Sequence, residues 1–353
     1  MFKDLIVIEL ASVLAGPDVG MFFAEVGAKV IKIENKLTNG DVTRKWKSPK
    51  ESSDAKVSAY YSSINWNKEV LLLNLTDPTD KDRVYDLVKT ADIVITNFKP
   101  GDDKKLKMDF ETLKSINPTI IYGEINGYGA SSKRPAYDVV LQAETGFMSM
   151  NGSKDSGPLK MPIALIDVLA AHHLKEGLLV ALLKKEKTGT GSKVEVSLYD
   201  AALASLKNQA TNWLMNNEVP KPIGSLHPNI APYGETFITK DNKAIVLAIG
   251  SNKQFIKLLD ILDASSIANK KEYKSNQLRV KNRKQLDKDL SPFFKLHSRD
   301  KLIDKFIYEN VPAGAIHSLD EVFEKDKAKQ LVLEENIDGV HTKRVRTSIF
   351  KIS

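Results

Sequence analysis

The chain has 353 residues, 42% of them hydrophobic, and a formal net charge of +7. That length accommodates two domains with a sizeable core, while the mild, interspersed charge gives no footing for a nucleic-acid partner and no stretch approaches the roughly 18 uncharged apolar residues of a membrane span. Cysteine is absent, which removes disulfides, thiolate metal sites and a cysteine nucleophile and fits a cytoplasmic protein.

"LIVIEL" (5–10) reads as a buried strand. With Asp4 and Glu9 around it, the N-terminus is expected to be the start of a domain and not a signal peptide. After Gly16-Pro17 comes a helix, "DVGMFFAEVGA", with Pro17 suited to its first turn. "KVIKIE" (29–34) and "VLLLNL" (70–75) are the next strands, the latter followed by a helix that Thr76 or Asp77 caps and Pro78 opens. "DIVITNF" (92–98) and "TIIYGEI" (119–125) are two more. Strands alternating with helices predict a parallel, doubly wound α/β sheet. Ligands of such sheets bind at the carboxyl ends of the strands, which singles out the loops after Glu9, Asn97 and Ile125. In the second of these, "TNFKPG", Asn97 offers a polar contact and Phe98 a stacking face, with Lys105 close behind. The G-x-G-x-x-G fingerprint of dinucleotide folds is missing.

Two carboxylates stand out further on. Asp138, next to Tyr137 in "RPAYDVVLQAETG", is placed to cap the helix that follows. Asp167 is the one formally charged side chain between Lys160 and Lys175 in "KMPIALIDVLAAHHLK". "MPIALI" reads as a short buried strand and Asp167 as the N-cap of the next helix; a carboxylate at a helix N-terminus is equally a nucleophile. His172 and His173 are adjacent, so they face different sides of a helix and cannot share one ion; no metal-ligand spacing, P-loop or G-x-S-x-G elbow occurs. Near residue 215 the pattern changes: Pro220, Pro222, Pro228 and Pro232 mark an extended linker. His227 lies in this stretch as a turn residue or a polar ligand contact. "GETFITKDNKAIVLAIG" then predicts a hairpin, and "NKQFIKLLDIL", "SRDKLIDKFIYEN" and "LDEVFEKDKAKQLVL" predict helices, together a smaller α+β domain.

Several motifs in this order, "IVIELASVLAGP", "GAKVIKIE", "GDVTRKW", "NKEVLLLNL", "NFKPG", "NGYG", "RPAYD" and "HPNIAPYG", give the chain a resemblance to the class III CoA-transferases. That family includes formyl-CoA transferase and carnitine CoA-transferase, with alpha-methylacyl-CoA racemase as a sister branch. The resemblance implies a Rossmann-like large domain over residues 1–200, completed by 325–353, a linker over 201–224, a small α+β domain over 225–320, and an interlocked homodimer. It implies transfer of coenzyme A from an acyl-CoA to a small carboxylic acid, with coenzyme A and its thioester as substrates and no tightly bound cofactor or metal.

The resemblance places the nucleophile at Asp167, whose carboxylate would carry a covalent aspartyl intermediate. It places coenzyme A against Leu14 and Ala15 after the first strand, Leu73, the strand-end residues Asn97, Phe98 and Lys99, and the turn Gly127, Tyr128 and Gly129. Lys105 stands where the family has an arginine, keeping the charge without the bidentate fork; Asn35 replaces another arginine, with Lys36 as its substitute. Tyr137, Asp138 and His227 fall where the substrate acid is held, and the small domain's loops set its identity. In the racemase branch a histidine precedes the aspartate matching Asp138. Tyr137 stands there instead, and a tyrosine, with a pKa of about 10, is a poor base near neutrality. Racemisation and non-catalytic CoA binding are the alternatives to transfer.

Overall fold

The computed structural model describes residues 2–352. They divide into two compact units: one from the residues up to Met148, Lys160–Pro220 and the segment from Gln330 on, the other from Ser149–Leu159 and Lys221–Lys329.

The first unit holds a sheet of six parallel strands, β1 (Ile6–Glu9), β2 (Lys29–Asn35), β3 (Glu69–Leu73), β4 (Ile93–Thr96), β5 (Ile121–Asn126) and β6 (Ser192–Ser197), in the order β3-β2-β1-β4-β5-β6. Its main helices are α1 (Ala15–Glu25), α2 (Pro78–Val88), α3 (Phe110–Ile116), α4 (Asp138–Glu144), α5 (Leu165–Thr188), α6 (Leu198–Ala204) and α7 (Lys207–Asn216). Helices lie on both faces of the sheet, so its central strands are apolar on both sides. Val7, Ile93 and Ile121 pack under α1 and α5 with Phe23, Leu174 and Leu178. Ile8, Ile31 and Val94 pack on the other face with Val84, Val88 and Leu113 of α2 and α3. Asp77 caps α2, accepting from the backbone N–H of Thr79 (2.9 Å) and Asp80 (3.1 Å), with Pro78 in the first turn.

One expectation is corrected here, and two further segments were not foreseen. "MPIALI" forms no strand: Met161, Pro162 and Ile163 are exposed and irregular, and α5 begins at Leu165. Proline lacks the N–H a central strand needs, and Met161 N instead donates to Gln142 Oε1 at 2.8 Å. The polar-looking "SKVEVS" is a full member of the sheet, β6, paired with β5 along its edge. Within the 201–224 linker, residues up to Asn216 are largely helical, in α6 and α7.

The second unit has an antiparallel sheet of β7 (Tyr233–Ile238), β8 (Ala244–Ala248) and β9 (Ala313–Ala315), with β8 in the middle. It packs with α8 (Asn252–Ile261), α9 (Asn276–Lys281), α10 (Arg283–Phe294) and α11 (Arg299–Tyr308) around Leu247, Leu258, Leu290 and Leu302. Phe237 and Phe294 stack with ring centroids 4.2 Å apart. The chain then returns to the first unit as a hairpin, β10 (Val332–Ile337) and β11 (Val340–Val345). Asp338 at its tip pairs with Arg44 (2.7 Å), and Arg344 pairs with Glu25 (2.5 Å). Among the described residues no helix is long and apolar enough to cross a membrane.

Leu174 is fully buried between α5 and the sheet. Leu174→Ala is expected to destabilise the protein by about 2–5 kcal/mol, read as a lower urea midpoint for the transition that reports the first unit.

Candidate active site

The strand order reverses between β1 and β4, and the crevice at their carboxyl ends is where ligands of such sheets bind. Side chains hold the β1 loop at every step. Lys32 Nζ donates to Ala11 O (2.8 Å). Asn97, from the end of β4, accepts from Ser12 N (2.9 Å) and donates to Ser12 O (2.7 Å). Asp41 Oδ2 accepts from Val13 N (3.1 Å). Leu14 then leads into α1 with no side chain capping the first turn, and Ala15 is buried. Phe98 is half-buried against the core, while Lys36, Lys99 and Lys105 are exposed.

Leu73 differs from expectation. Its side chain is 1% exposed and sits in the core, whereas Leu72 is 50% exposed. Alternation along β3 makes Leu72 the residue that faces outward at this strand end.

The β5 loop is tightly built. A Cβ on Gly127 would lie 2.4 Å from Ala136 Cβ, and Gly129 has φ +94°, a conformation that favours glycine. Tyr128 donates from its hydroxyl to Glu144 Oε2 (2.7 Å), and the Arg134 guanidinium stacks over its ring at 4.5 Å.

Asp138 takes the capping role that local sequence gives to Asp167, and Asp167 is left without one. Tyr137, 64% exposed, occupies the N-cap position of α4, and Asp138 is its first helical residue. Asp138 therefore does not cap its own helix. Its Oδ1 accepts from Ile166 N (2.7 Å), in the first turn of α5, and its Oδ2 accepts from Gln142 Nε2 (2.7 Å). Gln142 is fully buried, which fixes Asp138 in place. Asp138 thus satisfies a free N–H of the helix that carries Asp167. Asp167 is the third residue of α5, whose N-cap position is Ala164, and no side chain of its own helix caps the start.

Asp167 is half-buried, and among the described residues no hydrogen bond or ion pair reaches its carboxylate. Burial, and after it the charge of Asp138, push its pKa up to about 7. Two aromatic residues that sequence reasoning missed stand by it. The Tyr60 phenol is pushed up to about 12 by burial and then by the charges of Asp167 and Asp138. Trp46 meets the Tyr60 ring edge-on, with centroids 5.1 Å apart. Tyr60 lies in the one-turn helix Ala59–Ser62 and Trp46 at the end of a 3-10 turn; neither segment has apolar periodicity, so only the tertiary fold brings them to this carboxylate. Three helix starts thus gather Asp138, Asp167 and Tyr60 at one place, while Lys36, Lys99 and Lys105 are exposed. His227 belongs to the second unit, where its Nδ1 accepts from Asn229 N (3.1 Å) and its ring packs edge-on against Tyr233.

An unpartnered carboxylate with raised basicity suits acyl transfer, and comparison with known proteins agrees. The profile of CoA-transferase family III matches residues 2–352. The succinate–glutarate CoA-transferase of Agrobacterium fabrum is 36% identical over 353 residues, covering 97% of this chain and 87% of that protein. The human succinyl-CoA:glutarate CoA-transferase is 34% identical over 320 residues, covering 90% and 72%. A crystal structure of a CAIB/BAIF family protein from Brucella suis superposes with a TM-score of 0.87 at 34% identity, covering 99% of this chain and 92% of that one. The chain therefore belongs to CoA-transferase family III and is an acyl-CoA:carboxylate CoA-transferase.

Proposed function

We propose that Asp167 is the nucleophile of this transfer and that the enzyme works through a covalent aspartyl intermediate. The observation that carries the reading is the free, half-buried carboxylate with its pKa raised to about 7. An oxygen of ionised Asp167 attacks the thioester carbonyl of the acyl-CoA. The C–S bond breaks, leaving a mixed anhydride and CoA thiolate. The thiolate attacks the aspartyl carbonyl, the first acid leaves as its carboxylate, and an aspartyl-CoA thioester remains. The acceptor carboxylate attacks that carbonyl and expels the thiolate, which attacks the acceptor's acyl carbon. The new acyl-CoA leaves, and Asp167 is regenerated. Covalent catalysis divides one difficult exchange into steps of moderate height.

Asp167 suits the task for a second reason. Its raised pKa makes the ionised form more basic than a free aspartate, and no hydrogen bond has to break before attack. Asp138 holds the helix start and keeps Asp167 from folding back onto it. The ring of Tyr60 and the indole of Trp46 provide low-dielectric surface beside the reacting carbon, which limits hydrolysis of the anhydride.

The named relatives are called succinate–glutarate and succinyl-CoA:glutarate CoA-transferases. We assign this chain the same class, short dicarboxylic acids, with succinyl-CoA as donor. Leu14, Ala15, Asn97, Phe98 and the 127–129 turn are the proposed CoA contacts, with Lys36, Lys99 and Lys105 available to its phosphates. Tyr137 and Asp138 are the proposed contacts of the acid in the first unit. The family resemblance also supports a cytoplasmic, interlocked homodimer, which sedimentation of the purified protein tests.

Asp167→Ala is expected to lower succinyl-CoA:glutarate exchange by about 10³-fold or more while leaving CoA affinity within a few fold; exchange near the wild-type rate overturns the assignment. The wild-type kcat/KM for the acyl-CoA should rise as pH increases through about 7, because attack needs the ionised carboxylate. In Asp138→Asn, which removes the neighbouring charge, that limb should move to lower pH. Stability has the opposite sign. Folding binds a proton more tightly at Asp167 than the unfolded chain does, so its stabilising share is lost as pH rises from about 4 to about 7. Asp167→Asn should therefore melt a few degrees above wild type at pH 8, with the difference vanishing toward pH 4.

A further inference from the structure

Val13, between β1 and α1, has φ +71°, in the left-handed region that a β-branched residue avoids. Such a conformation persists only where the surroundings over-determine it. Here three side chains from three different elements do so, Lys32 on Ala11 O, Asn97 on both sides of Ser12, and Asp41 on Val13 N. Asp41 is itself fixed. Its Oδ1 accepts from Thr43 N (3.0 Å) and Thr43 Oγ1 (2.8 Å), its Oδ2 lies 3.3 Å from Lys32 Nζ, and its own N–H donates to Glu34 Oε2 (3.1 Å).

These contacts belong to a buried cluster of alternating charge. Lys32 pairs with Glu9 (2.8 Å), Glu9 with Lys68 (2.7 Å), and Glu34 with Arg44 (2.7 Å). With Asp41, three buried acids face three bases, and the half-exposed Asp338 also meets Arg44 from outside. It is pressed against α1, where a Cβ on Gly20 would lie 1.8 Å from Glu9 Oε2. Burial alone would discharge Lys32, but Glu9 and Asp41 outweigh it; Lys32 in turn, with the Thr43 and Val13 hydrogen bonds, holds Asp41 below the usual carboxylate range against its own burial. None of these residues presents a group to solvent for chemistry; Glu9 and Lys32 are fully buried and Asp41 nearly so.

The geometry points to Asp41 as a positioning residue for CoA: it clamps Val13 in its strained conformation and so presets the Leu14–Ala15 turn that receives the coenzyme. This rests on the CoA-site reading above. Because the strain belongs to an L-residue, glycine at position 13 should make the clamp dispensable.

The test is a double-mutant set on the full chain, assayed for the KM of succinyl-CoA, kcat and melting temperature. Asp41→Asn, which removes the charge and leaves one acceptor oxygen for the Val13 and Thr43 donors together, is expected to raise KM about 10-fold with kcat falling less than about 3-fold, and Val13→Gly in that background to return KM to within about 3-fold of wild type. A merely structural role would lower the melting temperature of Asp41→Asn with no rescue of KM by Val13→Gly, and that result overturns the proposal, as does an unchanged KM. If Asp41→Asn does not fold, Thr43→Val releases Asp41 without changing any charge; it should raise KM about 3-fold and show the same rescue, and an unchanged KM refutes the clamp. Hydrogen exchange of the wild type with and without CoA separates the two readings. Protection of amides 12–16 upholds the CoA site whatever the variants do; its absence removes both.

Discussion

Asp138 Oδ1 accepts a hydrogen bond from the backbone of Ile166, and much of the site's character follows from it. The start of α5 presents N–H groups that need an acceptor. Had Asp167 supplied it, its oxygens would be occupied and its ionised form stabilised, leaving a weaker base and a weaker nucleophile. Asp138 reaches across from α4 to fill that need, and the buried Gln142 holds it there. Two carboxylates thus meet at one helix end in different environments: one is hydrogen-bonded and structural, the other is free, with its pKa raised to about 7 by burial and by its neighbour. Such divergence between neighbouring acids is a common route to assigning catalytic roles.

A second constraint sits on the other side of the crevice. The parallel sheet brings the ends of β1 and β4 together, so Asn97 grips Ser12 across 85 residues of chain. Beneath this loop, charges are buried as a paired, hydrogen-bonded set rather than singly, as burial in low dielectric demands. The result is a loop whose backbone is held before any ligand arrives. Preorganisation of this kind lowers the ordering cost of binding.

Much of the scaffold was legible from local pattern. Five of the six parallel strands, the Asp77–Pro78 helix start and the β7–β8 hairpin follow from apolar runs, caps and turn residues. The sixth strand was not legible because Ser192, Lys193 and Glu195 alternate with only two valines at a half-exposed edge. "MPIALI" misled in the opposite direction: six largely apolar residues suggest a strand, yet Pro162 and the capture of Met161 by Gln142 keep the segment irregular. At the site, the sequence marked Asp138 and Asp167 but could not say which one caps α5. That choice depends on a contact between residues 28 apart. Tyr60, Trp46 and Asp41 carried no periodic signal, since they sit in or beside single helical turns too short to show one.

The central claim is that an oxygen of Asp167 becomes covalently part of each transfer, and isotope labelling tests it directly. Turnover is run with an acceptor acid carrying heavy oxygen in its carboxylate. When the thiolate attacks the acceptor's acyl carbon, the bridging oxygen of the mixed anhydride stays with the enzyme. The tryptic peptide Met161–Lys175, in which Asp167 is the one acidic side chain, should then gain heavy oxygen, and the acyl-CoA product should retain one. Labelled acyl-CoA formed at the normal rate with no label in that peptide would contradict the account.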